Sequence, residues 1–283
     1  MPRLFVDNLT VIDCSLLHHK RGLIGASWKV SVELAGKLDE QSMVFDFSKV
    51  KKTIKQWIDN EVDHKLLVPC QYDGCKMQQT GQQIGIEFKT ENAETIRHSS
   101  PSTAICKLDC VKIKREQVAQ FIASQLKKVL PNNVEQVLIT LDNENRSGAY
   151  YTYSHGLKKH DGNCQRIAHG HRSRIEIWKN GRRSKQLEKS IAKRWRDIYL
   201  GTKQDIREQN SNKISFAYST EQGDFSLEID SNRVHLMECD STVECIAEHV
   251  LSLLETEHAN THFKVRAFEG INKGAIAQSD AGH

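Results

Sequence analysis

Two histidines separated by one glycine, His169 and His171, stand at the start of a segment whose apolar residues alternate with polar ones. Residues i and i+2 of a β-strand point to the same face, so both imidazoles would lie side by side. Three imidazoles with one open coordination position are typical of catalytic zinc. His155, at the end of the preceding predicted strand, supplies the third imidazole if the two strands pair. A surface His-x-His pair without a metal is the simpler alternative, and we predict a zinc site.

Cys164 lies just before this histidine pair, in a loop that also carries lysine and arginine residues. The sequence leaves three roles open for its thiol: a fourth metal ligand, a buried structural group, or a reactive group. Basic neighbours and a nearby metal ion both favour the thiolate form of a cysteine. Cys164 is therefore a candidate base or nucleophile.

The composition excludes several classes of protein. Of the 283 residues, 38% are hydrophobic, enough for one large domain or two small ones, and the net charge of +4 does not indicate nucleic-acid binding. No apolar run approaches the roughly 20 residues that span a bilayer, and the first residues lack the pattern of a signal peptide. The eight cysteines are expected to be reduced thiols. We expect a cytoplasmic protein that binds neither nucleic acid nor membranes.

The same order of predicted elements occurs twice: two strands, a helix, short strands, a second helix and a final strand. Period-two alternation predicts antiparallel strands, and apolar stripes at helical spacing predict the helices. The helices are predicted over 48–62, 115–130, 184–200 and 241–255. We therefore predict an α+β protein of two tandem units, 1–147 and 148–283, each with an antiparallel sheet and helices on one face.

The segment Cys164-x4-His169-Gly170-His171, preceded by His155 at a strand end, resembles the Cys-x(3–5)-His-Gly-His signature of the 6-pyruvoyl/6-carboxy-tetrahydropterin synthase family. This resemblance implies two fused units of the tunnelling fold, which assemble edge to edge into a barrel. It also implies Zn2+ as the cofactor, held by the three histidines.

Other motifs of that family are distributed between the two halves. The stretch VDHKLL, which contains Asp63 and His64, resembles the family's Asp-His-x-x-Leu motif. In the second half, Thr242 opens a helix with the family's Thr-x-Glu pattern, and Glu269 resembles the glutamate of the last strand. The resemblance implies that Cys164, Asp63 and His64 are catalytic and that Glu269 and Thr242 bind the substrate, although Thr242 is equally a plain helix N-cap.

Neither half contains the full set of motifs. By sequence alignment, the first half has Ser15, Ile24 and Ala26 in place of the three histidines, and the second half has no Asp-His pair. Together they contain one complete set, so we expect one active site per chain, formed by both halves. The alternative is that the first half has decayed and its Asp-His pair lies on the surface.

The resemblance implies 7,8-dihydroneopterin triphosphate as substrate and a lyase reaction that eliminates triphosphate. We predict a 6-carboxytetrahydropterin synthase-like enzyme that also cleaves the side chain and feeds queuosine-type deazapurine biosynthesis. A 6-pyruvoyl-tetrahydropterin synthase is one alternative, because the gap of four residues between cysteine and histidine does not distinguish the two. A non-catalytic pterin- or purine-binding protein is another.

Two further expectations concern charge and assembly. A triphosphate needs cations, and the candidates in the second half are Lys158, Lys159, Arg166, Arg172 and Arg174. Barrel closure removes the open sheet edges that a single unit would expose. We therefore expect a homo-oligomer of either two or three two-unit chains.

Overall fold

The structure is a computed structural model and describes residues 1–280. Its helices are α1 (Phe47–Glu61), α2 (Arg115–Val129), α3 (Lys185–Arg194) and α4 (Val243–Glu257). The strands of the first half are β1 (Arg3–His18), β2 (Gly22–Gly36), β3 (Leu66–Pro69), β4 (Cys75–Thr80), β5 (Gln83–Lys89), β6 (Thr95–Pro101), β7 (Ile105–Leu108) and β8 (Val134–Asp142). Those of the second half are β9 (Ala149–His155), β10 (His169–Lys179), β11 (Arg182–Arg183), β12 (Arg196–Thr202), β13 (Ile206–Gln209), β14 (Lys213–Thr220), β15 (Gly223–Asp230), β16 (Val234–Met237), β17 (Phe263–Phe268) and β18 (Gly274–Gln278). Elements β1–β8 with α1 and α2 are named the N-terminal unit, and β9–β18 with α3 and α4 the C-terminal unit.

Each unit has its own sheet with the same plan. The strand order is β7-β3-β1-β2-β8 in the N-terminal unit and β16-β12-β9-β10-β17-β18 in the C-terminal unit, where β11 also pairs with β10. The long central pairs are antiparallel, whereas β3 joins β1, and β12 joins β9, in parallel. The predicted α+β class with two tandem tunnelling-fold units is thus confirmed, with short parallel strands added on one side of each sheet.

The helices cover one face of each sheet, as their apolar stripes predict. In α1, the buried residues Val50, Ile54 and Ile58 recur at helical spacing and pack into the core of the N-terminal unit. Helix α1 begins directly after its cap, Asp46, whose carboxylate accepts the amide of Ser48 at 2.7 Å. Among residues 1–280, no helix is long and apolar enough to cross a bilayer.

The helix predicted over 184–200 is shorter than expected. It ends at Arg194, and residues 196–202 form β12 instead. The apolar residues Ile198, Tyr199 and Leu200 are buried there because β12 pairs in parallel with β9. Asp197, which adopts a positive φ of 58°, takes the chain out of the helical conformation just before them. Tertiary pairing therefore outweighs the local helical pattern.

The two insertions, 72–104 and 205–235, form a third sheet shared by both units. Its order is β13-β14-β15-β6-β5-β4, so each unit contributes three consecutive strands. The junction is the antiparallel pair β15–β6, in which Leu227 lies opposite His98. Apolar side chains from both halves of this sheet, including Phe88 and Phe216, share one core beneath it. The units are therefore joined by a continuous sheet as well as by the chain.

A second contact joins the hairpins β1–β2 and β9–β10. A Cβ atom added to Gly25 would lie 2.1 Å from the carbonyl oxygen of Tyr153, and one added to Gly170 would lie 2.9 Å from the Cα of Gly25. The hydroxyls of Ser15 and Ser154 meet at 2.6 Å on the same contact. Such close approach of two backbones requires glycine, and it brings the histidine strand against the N-terminal unit.

Candidate active site

The three predicted histidine ligands converge. His155, the last residue of β9, pairs directly with His169, the first residue of β10, and His171 follows on the same face. At least one side-chain nitrogen of each ring lies within 4.8 Å of those of the other two. All three side chains are at most 1% exposed. Three buried imidazoles around one point form the donor set of a metal site.

Hydrogen bonds orient two of these rings. The Nδ1 atom of His155 lies 3.0 Å from the carbonyl oxygen of Ser241, and Nδ1 of His169 lies 2.9 Å from that of Arg166. A carbonyl oxygen only accepts hydrogen bonds, so each Nδ1 carries the proton and each Nε2 keeps a free lone pair. Within residues 1–280, the buried Nε2 of His169 has no hydrogen-bond partner, and Nε2 of His155 lies 3.2 Å from Nε2 of His171.

These free lone pairs fit a divalent cation. Burial and the neighbouring imidazoles hold the pKa of His155 and of His169 well below the usual histidine range, so both rings stay neutral. Neutral imidazole is the form that binds metals. Without a cation, the unpaired buried Nε2 of His169 would be an uncompensated cost. The residues present therefore fit zinc.

Beside the imidazoles lies the predicted Asp63-His64 pair, contributed by the N-terminal unit of the same chain. Nδ1 of His64 is 2.7 Å from the carboxylate of Asp63, and a ring nitrogen of His64 and Sγ of Cys164 lie within 4.8 Å of each other and of His169. The alternative of an exposed Asp-His pair is therefore wrong. The thiol of Cys164 belongs to a second group, with His64 and His169, and this group shares only His169 with the three imidazoles.

The pKa of His64 reflects these neighbours. Burial acts to lower it, but the hydrogen bonds and negative charges of Asp63 and Cys164 outweigh burial and raise it to about 10. His64 is therefore protonated at neutral pH and places a positive charge beside the thiol. His64 also has a positive φ of 54°, and its amide donates to the carbonyl oxygen of Asp13 at 2.7 Å. This bond holds the strained turn in place.

The two predicted substrate-binding residues have different contacts. Glu269, directly after β17, has its carboxylate 4.0 Å from Nε2 of His171 and 3.5 Å from the ammonium group of Lys273. Thr242 is the N-cap of α4 and accepts the amide of Cys245 at 3.4 Å. Its neighbour Ser241 contacts His155, so Thr242 lies next to the site but has a capping role of its own.

Most of the candidate phosphate-binding cations are engaged elsewhere. The ammonium groups of Lys158 and Lys159 pair with Asp205 and Asp240, and Arg174 is buried against Glu144. Arg172 stacks on the ring of Tyr150 at 3.7 Å.

Arg166 alone of the five faces the site. Its guanidinium contacts the carbonyl oxygens of Asp63 and His64 at 3.4 Å. Lys65, which the sequence analysis missed, is a second buried cation beside it, 3.6 Å from Glu61. Its only sequence signal is its position directly after the Asp-His pair.

The strand register corrects one alignment. Ser15 pairs with Gly25 in the N-terminal unit as Ser154 pairs with Gly170 in the C-terminal unit, so Leu16, not Ser15, occupies the position equivalent to His155. The expectation for Ser15 was wrong by one residue, because sequence similarity between the halves is too low there to fix the register. The conclusion is unchanged, since Leu16 binds no metal.

An ion pair occupies the equivalent place in the other half of the molecule. Arg21 is the equivalent of Arg166, since each lies three residues before the first position of its aligned pair, Ile24 or His169. The Nε of Arg21 donates to the carboxylate of Asp197 at 2.7 Å. Asp197 is 5% exposed. At this place a salt bridge stands where the other site has the Asp-His pair, and among residues 1–280 the assembled set of candidate site residues occurs once.

Two further residues of the site were not found from sequence. Ser241 holds His155, as described above. Asp13, in the middle of β1, has its carboxylate 3.2 Å from Nδ1 of His171. The only signal for Asp13 was a charged residue within the apolar run LTVIDCSLL. Identifying its partner required knowing that β1 packs against β10.

Comparison with known proteins agrees with this geometry. The family model described as 6-pyruvoyl tetrahydropterin synthase matches the chain twice, over residues 12–154 and 145–280. A Pyrococcus horikoshii protein provisionally named 6-carboxy-5,6,7,8-tetrahydropterin synthase is 24% identical over 130 residues, which cover 46% of this chain and 74% of that protein.

Solved structures of 6-pyruvoyl tetrahydropterin synthases from two malaria parasites are also similar. The Plasmodium vivax enzyme has 19% identity and a TM-score of 0.38, covering 50% of this chain and 98% of its own. The Plasmodium falciparum enzyme has 21% identity and a TM-score of 0.38, covering 50% and 97%. Because the family model accounts for both halves in succession, the chain belongs to the 6-pyruvoyl tetrahydropterin synthase family and contains two units of it in tandem.

Proposed function

We propose that this chain is a zinc-dependent lyase that acts on 7,8-dihydroneopterin triphosphate and forms 6-carboxytetrahydropterin, a precursor for deazapurine (queuosine-type) biosynthesis. The observation that carries the proposal is the meeting of two incomplete units at one centre. Three buried imidazoles and a thiol from the C-terminal unit lie against an acid-imidazole pair from the N-terminal unit. A binding protein would have no need to keep a hydrogen-bonded Asp-His pair beside a thiol.

His155, His169 and His171 would hold the metal through Nε2. When bound, zinc supplies Lewis acidity toward the side-chain hydroxyls of the substrate. Glu269 accepts hydrogen bonds from the amino and ring N–H groups of the pterin, which a carboxylate can do in a paired geometry. Thr242 is a second candidate contact for the pterin edge.

The chain's own groups move the protons. Cys164 takes a proton from the substrate side chain as the general base, and protonated His64, held by Asp63, returns a proton on the other side of the reacting carbons. Arg166 and Lys65 lie beside this pair and offer two positive charges to the triphosphate. A carboxylate-oriented imidazole next to a thiol is the usual arrangement of an activated cysteine.

The identity of the product separates two candidates. The curated relative from Pyrococcus carries the 6-carboxy name, which supports cleavage of the side chain with release of acetaldehyde. The family model carries the 6-pyruvoyl name, which supports the second candidate, an enzyme that keeps all carbons.

Product analysis tests the proposal. Purified protein, loaded with zinc, is incubated with 7,8-dihydroneopterin triphosphate, and pterins, triphosphate and acetaldehyde are quantified. We expect triphosphate and acetaldehyde in equal amounts. Triphosphate without acetaldehyde would support the 6-pyruvoyl product. Zinc and pterin binding without any turnover would support a binding protein and refute the enzyme.

A further inference from the structure

Asp13 is a buried carboxylate that the roles assigned above do not use. It is 3% exposed and lies within an apolar strand of the N-terminal unit. Aspartate is almost never fully buried unless it is paired, because removing a charge from water is costly. Its surroundings should therefore indicate why it is there.

The carboxylate of Asp13 faces the C-terminal unit. Oδ1 lies 3.2 Å from Nδ1 of His171, in a contact bent away from the ideal hydrogen-bond direction, and Oδ2 lies 3.6 Å from the ammonium group of Lys273. The hydroxyl of Ser27 donates to Oδ1.

The backbone of Asp13 holds the catalytic pair. Its amide donates to Oδ1 of Asp63 at 2.7 Å, and its carbonyl oxygen accepts the amide of His64 at 2.7 Å. One residue of β1 thus contacts a metal ligand through its side chain and the Asp-His pair through its main chain.

The other half of the molecule provides an internal comparison. Asp13 pairs with Ser27 in β1–β2, and Thr152 pairs with Arg172 in β9–β10, so Thr152 is the equivalent of Asp13. The equivalent of His171 is Ala26. The hairpin β1–β2 therefore has the carboxylate of Asp13 where the other hairpin has His171. The hairpin β9–β10 has the neutral hydroxyl of Thr152 where the other hairpin has Ala26.

We propose that Asp13 is a positioning residue of the metal site, contributed by the unit that has no metal ligand. Its carboxylate fixes the rotation of the His171 ring so that Nδ1 carries the proton and Nε2 faces the metal. A carboxylate behind a ligating histidine raises the basicity of that ligand, and removing such a partner typically weakens metal binding 10- to 100-fold. This inference rests on the proposed zinc site.

Metal affinity of the metal-free protein tests this role without any need for turnover. Zinc dissociation constants are measured by competition with a chromophoric chelator, and Co2+ spectra report the ligand geometry. The variants are Asp13→Ala, Asp13→Asn and, as matched control, Asp197→Asn. Asp197 is also a buried carboxylate paired with the opposite unit, through Arg21, but it touches none of the three imidazoles.

We expect zinc binding to weaken about 10- to 100-fold in Asp13→Ala and by a smaller factor in Asp13→Asn, with altered visible Co2+ bands in both. Asp197→Asn should bind zinc within twofold of wild type. Should Asp13→Ala fail to fold, judged by circular dichroism, Asp13→Asn decides, because it preserves the side-chain shape. Wild-type zinc affinity together with an unchanged Co2+ spectrum in the folded Asp13 variant would overturn the role of Asp13 alone. A wild-type protein that binds neither metal would overturn the metal site and this inference together.

Discussion

At the scale of residues, the candidate site holds neutral and charged histidine rings side by side. The imidazoles of His155 and His169 are fixed by main-chain carbonyl groups and kept neutral by burial. His64, only 5.2 Å from the ring of His169 between ring centroids, is instead held charged by Asp63. Environment alone thus gives the same side-chain type two different protonation states.

Replacing Cys164 with alanine tests this separation. We expect turnover of the triphosphate substrate to fall about 10²- to 10⁴-fold, the usual contribution of a general base. Zinc content should stay at the wild-type value, because the thiol lies outside the three-imidazole group. Turnover and metal content are measured on the same preparation, with the exposed Cys239→Ala as control. Loss of zinc from Cys164→Ala would make the thiol a metal ligand instead.

The sequence indicated which three imidazoles come together better than it indicated the residues that support them. His169 and His171 could be identified because strand periodicity places i and i+2 together, and His155 because consecutive strands usually pair. Asp13 and Ser241 could not, since each meets its histidine only after distant elements pack. A residue that contacts the far side of such a histidine ring can lie at any distance from that histidine along the sequence.

At the scale of elements, the hairpin contact controls the site from outside it. Gly25 belongs to the N-terminal unit, which does not contain the three imidazoles. A side chain at this position would collide with the backbone of Tyr153 and His171 in the C-terminal unit. The histidine strand can keep its place only while this contact stays tight.

Gly25→Ala should therefore weaken both folding and metal binding. The added Cβ would lie 2.1 Å from the carbonyl oxygen of Tyr153, so the hairpins must move apart. We expect a loss of about 1–3 kcal/mol in the free energy of unfolding, typical of overpacking, and weaker zinc binding. Urea unfolding and zinc competition measure the two effects. Gly85→Ala, whose nearest neighbour would be 3.8 Å away, is the matched control and should change neither. Equal behaviour of both variants would contradict the argument.

The shared third sheet carries a buried histidine that makes stability depend on pH. Burial lowers the pKa of His98 from 6.5 to about 4, so His98 is neutral in the folded protein. The unfolded chain binds the extra proton below pH 6.5 and the folded chain only below about pH 4. Above pH 6.5, His98 does not change the free energy of unfolding. As the pH falls from 6.5 toward 4, His98 lowers the free energy of unfolding by up to about 3 kcal/mol.

His98→Gln should remove this pH dependence. Between pH 7.5 and 4.5, urea unfolding of the metal-free variant should lose about 2 kcal/mol less stability than wild type. The exposed His262→Gln serves as control and should behave as wild type. An unchanged pH slope in His98→Gln would show that His98 is not buried in solution.

Local patterns located the helices and the paired strands but not the third sheet. Its strands were recognisable one by one, for instance β5 and β14 by their alternating burial. Their pairing across the units, through β15 and β6, links residues more than 100 positions apart. A short-range sequence pattern cannot show which distant strand a given strand pairs with.

At the scale of the whole molecule, open sheet edges remain. In the described part of the chain, strand β8 has a single neighbour, β2, and β18 has a single neighbour, β17. Leu138 on β8 and Ile276 on β18 are 50% and 58% exposed. Unpaired edges with apolar residues favour association with another copy.

We therefore expect the protein to be a homo-oligomer of two or three chains by light scattering. The double variant Leu138→Lys, Ile276→Lys should dissociate it, because charges on edge strands oppose strand pairing. Val111→Lys, which alters an equally exposed apolar residue in a loop, should leave the mass unchanged. A monomeric wild-type protein would contradict the prediction.

The short connection between β8 and β9, residues 143–148, has one further consequence. Two separate polypeptides that meet to complete a catalytic centre come apart when they are diluted, and activity per molecule then declines. Here the partners are tethered, so their encounter is intramolecular and its effective concentration is fixed by the tether. Scarcity of the protein in a cell would not, by itself, separate the thiol from its acid-imidazole partner.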